Sequence, residues 1–201
     1  MRDKVIRELG QQHLQKLQSG VGVISHWREF LADYQPLAQH PDDAYAWLTC
    51  ALALEGVASD NFGVGAILVD AGGQVVAQGH NQVFHPYFRS DRHAEMVVLD
   101  SWEDGRPQVP WPGWLTLFTS VESCPMCLVR LACADVGRVL FVAEDAIGGM
   151  VQRMDSLPPA WLALARTKTF AQAQCSPEVA HAAGQIFQIN LQELNARLRR
   201  K

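Results

Sequence analysis

Residues 115 to 133 read LTLFTSVESCPMCLVRLAC, a strand-like run that passes through a Cys-Pro pair straight into a helical pattern. This junction constrains the fold more than any other stretch. It predicts a strand over LTLFTS and a helix over PMCLVRLACAD, with Cys124 as N-cap and Pro125 at the first helical position, where its missing N–H costs nothing. Cys127 lies three residues on and shares a face with Cys124. Both sulfurs then sit over a helix amino terminus, whose partial positive charge favours thiolate over thiol.

A disulfide role is disfavoured. The five cysteines, Cys50, Cys124, Cys127, Cys133 and Cys175, are odd in number, and the amino terminus MRDKVIRELGQQHLQKLQ is polar where a secretion signal would be apolar. No apolar run approaches the roughly 20 residues of a membrane span, so the expected location is cytoplasmic. Cys50, on an apolar helix face, and Cys133, on the far side of its helix from Cys124, are expected to be buried small hydrophobes. Cys175 is uninformative, and the helix-end placement of Cys124 and Cys127 makes that pair a good place to hold a soft divalent cation.

The 201-residue chain, 48% hydrophobic and 19% charged, has the composition of one main domain. From Val5 to Leu31 apolar positions recur at spacings of three and four, predicting amphipathic helices parted near Gly20 and Gly22, a helical N-terminal extension over residues 1–40. The domain over 41–201 opens with a helix from near Asp42 to about Val57. GVGAILVDAGGQVVAQG then predicts a β-hairpin turning at Ala71-Gly72-Gly73-Gln74. A loop, HNQVFHPYFRSD, leads to a helix, RHAEMVVLDSW, and to the loop RPQVPWPGW before the strand and cysteine helix. Beyond them come a strand (RVLFVAED), a helix (PPAWLALAR), a weak strand (KTFAQAQ) and a last helix over roughly 177–200. Strands alternating with helices after a hairpin indicate an α/β fold: a mixed five-stranded sheet with helices on both faces.

A metal needs more than two ligands, and His93, in DRHAEMVV, stands at the start of another predicted helix. Two thiolates and one neutral imidazole balance the charge of Zn²⁺. Three protein ligands leave the fourth tetrahedral position for water, as in catalytic rather than structural sites. His80 and His85 are the nearby candidates for a closing fourth ligand. Glu95, two residues past His93, is the natural proton carrier beside a metal-acidified water. That spacing shares no face in mid-helix, so the reading requires both residues in the first turn, reaching the metal from the helix end.

HAE at 93 to 95 followed by CPMC at 124 to 127 resembles the signature of the zinc-dependent cytidine and deoxycytidylate deaminase superfamily, a His-x-Glu and a later Pro-Cys-x-x-Cys. The resemblance covers about residues 42 to 200. It implies a three-layer α/β/α cytidine-deaminase-like fold and one zinc ion per chain held by His93, Cys124 and Cys127. Glu95 is implied as general acid and base of a hydrolytic deamination that releases ammonia. The proline usual before the first cysteine is Ser123 here, which bears on the stiffness of the loop.

Within the superfamily ESCPMC is similar to the EPCPMC of the branch holding bacterial guanine deaminases and tRNA adenosine deaminases. RHAEMVVLD resembles the eukaryotic tRNA-editing enzymes, and the ungapped stretch from Cys127 to Asp155 resembles bacterial guanine deaminase. That likeness implies substrate contacts at Asn81, in GHNQV, and at Asp155, with Glu144 and Asp145 as alternatives to Asp155. Related enzymes pair through helices beside the active site, which implies a homodimer.

The formal charge of −4 argues against a large phosphate-binding surface. The resemblance implies a small-molecule purine, base or nucleoside, with guanine first and a tRNA anticodon adenosine second, and the charge bears only on that order. A catalytically silent binding subunit is a third reading, and the intact Glu95 argues against it. Phe84, Tyr87 and Phe88 are candidates to stack on a substrate ring, ahead of Trp111 and Trp114. Arg89, Arg92 and the terminal basic cluster from Arg197 to Lys201 are the candidates for phosphate contact.

Overall fold

The protein is seen in a computed structural model that describes residues 2–17, 21–105 and 115–200. The loop RPQVPWPGW, with Trp111 and Trp114, lies outside the described residues. Alternation along β1 (Gly65–Val69) sends Ile67 and Val69 to one face and Ala66 and Leu68 to the other, and all four are buried. A strand apolar on both faces belongs in the middle of a covered sheet. Here β1 lies between β2 (Val75–His80) and β3 (Leu115–Val121), antiparallel to both. β4 (Val136–Ala143) and β5 (Thr169–Gln172) continue parallel to β3, giving the order β2-β1-β3-β4-β5. The expected mixed five-stranded sheet is present, and its hairpin turns where predicted, with Gly73 at φ 78° and Asp70 Oδ1 accepting from the Gln74 N–H.

Ile67, Val69, Phe118 and Leu140 face a layer formed by α1 (Arg2–Gln15), α2 (Val23–Asp33), α3 (Asp43–Ala58) and α7 (Pro177–Arg199). Ala66, Leu68, Leu117 and Val139 face α4 (Ala94–Asp104) and α5 (Pro125–Cys133). A short α6 (Pro159–Ala165) packs on α5 through Ala165, Leu128 and Ala132. The result is three layers, α/β/α.

The sequence of α3, DAYAWLTCALALEGVA, is apolar all round, which a helix tolerates only when covered on every side. The sheet and α7 cover part of it. The N-terminal helices cover the rest, placing Ile6, Leu14 and Leu31 in the same core. Trp47, wholly buried, donates to the Leu31 carbonyl at 2.9 Å, and its ring lies so near Gly10 that a Cβ there would stand 2.2 Å from it. Cys50 is buried in this core, as expected. Cys133 is not buried: it ends α5, whose inner face is taken by Cys127, Leu128 and Leu131, so the opposite side meets solvent. Among the described residues no helix is long and apolar enough to cross a membrane.

Candidate metal centre and pocket

β3 ends at Val121 and the chain enters α5 through Glu122 and Ser123. Cys124 is the N-cap, in extended backbone at φ −70° and ψ 169°, with Pro125 opening the helix. Cys127 follows in the first turn and is fully buried. His93 is likewise the N-cap of α4, at φ −66° and ψ 157°, so it stands just outside the helix while Glu95 lies in its first turn. Only Glu95 is in the first turn, so the expectation of both there is corrected: His93, as the cap, stands at the same helix end from outside it.

His93 Nδ1 lies 3.6 Å from Cys124 Sγ and 3.5 Å from Cys127 Sγ, and the three donor atoms fall within 4.8 Å of one another. A tetrahedral zinc bound at about 2.3 Å to sulfur and about 2.0 Å to nitrogen separates those ligand atoms by about 3.6 Å. The donors therefore stand at ligand spacing, and their chemistry, two sulfurs and one imidazole, suits Zn²⁺.

Electrostatics follow from this crowding. A hydrogen bond with Cys127, helped by His93, brings the Cys124 thiol down to about 4. The same contact, with burial, pushes Cys127 well up. Burial works against a charged His93, yet the hydrogen bond and charge of Cys124 outweigh it and raise the imidazole. Glu95, 3% exposed, is raised above the usual carboxylate range by burial first and by the Cys124 charge second. Its Oε1 accepts a hydrogen bond from Ser123 Oγ at 3.0 Å.

The centre opens into a cavity of about 460 Å³, within the roughly 300–1,000 Å³ of small-molecule sites. His93, Glu95 and Cys124 line it with Asn81, Phe62 and Val64. Asn81 Oδ1 accepts from the Val83 N–H at 3.0 Å, which leaves its Nδ2 as a donor. Asp145, Ile147 and Gly148 supply a second wall, and Asp145 Oδ1 accepts from the N–H groups of Ile147 and Gly148, at 3.1 and 2.9 Å. The third wall is a stripe of α7: Phe187, Gln188, Leu191, Asn195, Leu198 and Arg199.

Not every residue singled out in the sequence comes here. Asp155 sits in the 3₁₀ turn Met154–Ser156, its side chain 86% exposed and paired with Arg166 at 3.0 Å, away from the cavity. Of its two alternatives Asp145 lines the pocket and Glu144 is exposed. His80 donates to the Asn81 carbonyl at 2.8 Å and His85 is exposed, and neither joins the three-donor cluster. Phe84 packs behind the pocket residue Phe62, their ring centres 5.8 Å apart, while Tyr87 and Phe88 are exposed. Arg89 is paired with Asp91, Arg92 with Asp100 and Arg197 with Asp60.

Two contributions went unnoticed in the sequence. Glu122, nearly buried, accepts from the N–H of Asp145 at 3.2 Å and of Gln152 at 3.0 Å, and so holds the loop after β4. An acidic residue emerging from a buried strand one place before a metal-type motif was the available signal. The α7 stripe was visible only as mixed polar and apolar residues at helical spacing, with nothing local to say what it faces.

Two helix amino termini on a mixed α/β sheet bring two thiols and an imidazole together beside a buried carboxylate, a group that could hold a metal ion. The chain belongs to the family of the cytidine and deoxycytidylate deaminase zinc-binding region, whose sequence model matches residues 40–143, over half of it. It is similar to the tRNA-specific adenosine deaminase of Bacillus subtilis (strain 168), 37% identical over 87 residues. That match covers 43% of this chain and 52% of the relative, so the chain spans about half the relative's length. Two solved structures share the fold. One comes from work on A-to-I editing by tRNA:A34 deaminases at the wobble position (TM-score 0.55, 22% identity, covering 69% of this chain and 94% of that one). The other is guanine deaminase from Nitrosomonas europaea (TM-score 0.55, 21% identity, covering 85% and 95%).

Proposed function

We propose that the protein is a hydrolytic deaminase of a purine base or nucleoside, with guanine as the first candidate. One observation carries the reading: Glu95, buried and raised, stands beside three donors at zinc spacing, where the cavity begins. In the reaction the amino-bearing ring carbon gains the oxygen of water, the ring nitrogen gains one proton and the amino group leaves as ammonia with another. Held by His93, Cys124 and Cys127, zinc would supply an acidified water as nucleophile. Glu95 takes a proton from the attacking water, passes it to the ring nitrogen and delivers a second to the departing amine. Asn81 offers Nδ2 to an acceptor on the ring. Asp145 has Oδ2 left for the N–H groups that guanine presents. Phe62, Phe187 and Leu191 give the ring apolar walls.

A tRNA adenosine is the second reading, favoured by the 37% identity to the Bacillus subtilis enzyme. Against it stands the pairing of Arg89, Arg92 and Arg197 with acids, which leaves those cations already neutralised. Ammonia release from guanine, guanosine, adenosine, cytosine, cytidine and unmodified tRNA decides among them. Guanine should be converted, and Glu95→Gln should lose about 10²–10⁴-fold in rate with zinc retained. Unchanged turnover in that variant removes Glu95 from the mechanism, and conversion of tRNA alone makes the second reading the right one.

A further inference from the structure

Ser123 stands where the resembling motif has proline, and it is 1% exposed. Its carbonyl accepts from the Met150 N–H at 2.9 Å, tying the residue to the loop after β4. Next to it Glu122 holds the same loop at Asp145 and Gln152. With the backbone pinned from both sides, the side chain has little freedom, and its hydroxyl donates to Glu95 Oε1 at 3.0 Å. A donor to a carboxylate is among the stronger hydrogen bonds available to a neutral side chain, and both partners here are shielded from water.

Glutamate turns about three bonds, and a proton carrier that serves two acceptors must keep one oxygen near both. We propose that Ser123 is a positioning residue for the reaction: its hydroxyl fixes Oε1 of Glu95 and thereby leaves Oε2 to meet the reacting atoms in the pocket. Proline in this place has no donor and can stiffen only the loop. This chain stiffens the loop with the bonds from Met150 and through Glu122, and directs the catalytic carboxylate as well. The proposal rests on the deaminase reading of the site. Since a misplacement of about 1 Å can cost up to about 10²-fold, an unanchored Glu95 should be slower without binding substrate less well.

The test uses the full chain with Ser123→Ala, Ser123→Thr and Glu95→Ala, singly and as the Ser123→Ala/Glu95→Ala pair. Ser123→Ala should lower kcat about ten- to a hundredfold with KM within about twofold and zinc content unchanged, and Ser123→Thr, which keeps the hydroxyl, should recover most of the rate. Independently of activity, urea denaturation of the metal-free proteins forms a double-mutant cycle. Ser123→Ala should lower the midpoint in the wild-type background and leave it unmoved in the Glu95→Ala background. A wild-type kcat in Ser123→Ala, a lost rate that Ser123→Thr does not recover, or equal midpoint shifts in both backgrounds overturns the proposal. A wild-type chain that releases ammonia from no substrate overturns the deaminase reading instead, and the denaturation cycle still decides whether Ser123 holds Glu95.

Discussion

Acid should loosen the N-terminal helices through one residue, Glu55. In the last turn of α3, 16% exposed, its carboxylate accepts from His13 Nδ1 and, at 2.9 Å, from Lys16 Nζ, both carried by the segment that opens the chain. Burial alone would raise this carboxyl. The hydrogen bonds from His13 and then Lys16 more than reverse that, bringing it from an ordinary 4.5 to about 2. At about 1.36 kcal/mol per pH unit the difference corresponds to about 3 kcal/mol, and discounting for the half-exposed Lys16 leaves about 2 kcal/mol. The sign follows from a depressed value. The contribution is full above pH 4.5 and is lost as pH falls through about 2. Glu55→Gln should therefore cost about 2 kcal/mol at pH 7, lowering the melting temperature by about 4–8 °C in a chain of this size. By pH 3 the difference between the two proteins should be less than half as large. Urea denaturation of both, stripped of metal, at pH 7, 5 and 3 measures it. A difference that stays constant across that range, or none at pH 7, refutes the linkage.

Asp155→Asn should leave kcat/KM within about twofold and stability within about 0.5 kcal/mol, because the residue pairs with Arg166 on the outside; Asp145→Ala should raise KM for the purine at least tenfold in the same steady-state assay. Gly149→Ala should cost about 1–3 kcal/mol by calorimetry, since its Cβ would stand 2.4 Å from the Glu122 carboxylate and 2.6 Å from the Asp145 carbonyl oxygen. Removal of metal with a chelator should abolish ammonia release, and stoichiometric Zn²⁺ should restore it.

The motif residues were legible because their geometry is local. Proline at the first helical position and a cap before it are fixed by the backbone itself, so Cys124 and His93 fell where the spacing placed them. The three layers were legible from alternation in β1 and from the strand-helix order. Asp155 was misjudged because the segment after β4 has no period, and the bonds that shape it come from Glu122, some 30 residues away at Gln152. Cys133 was misjudged because facing away from Cys124 does not say whether core or solvent lies on that side. The contact of Ser123 with Glu95 joins the turn before α5 to the first turn of α4, and no local pattern encodes it.

The division of labour along α7 bears on how such a protein changes its diet. Val179, Ala182, Ala183 and Ile186, in the first half, are buried, whereas the stripe from Phe187 to Arg199 faces the cavity. Substitutions at Gln188, Asn195 or Arg199 alter the wall without opening holes beneath it, so they carry little stability cost. The pocket wall can change through this one surface while α4 and α5 stay as they are. Libraries restricted to those three positions would be the economical way to ask which substrates the scaffold admits.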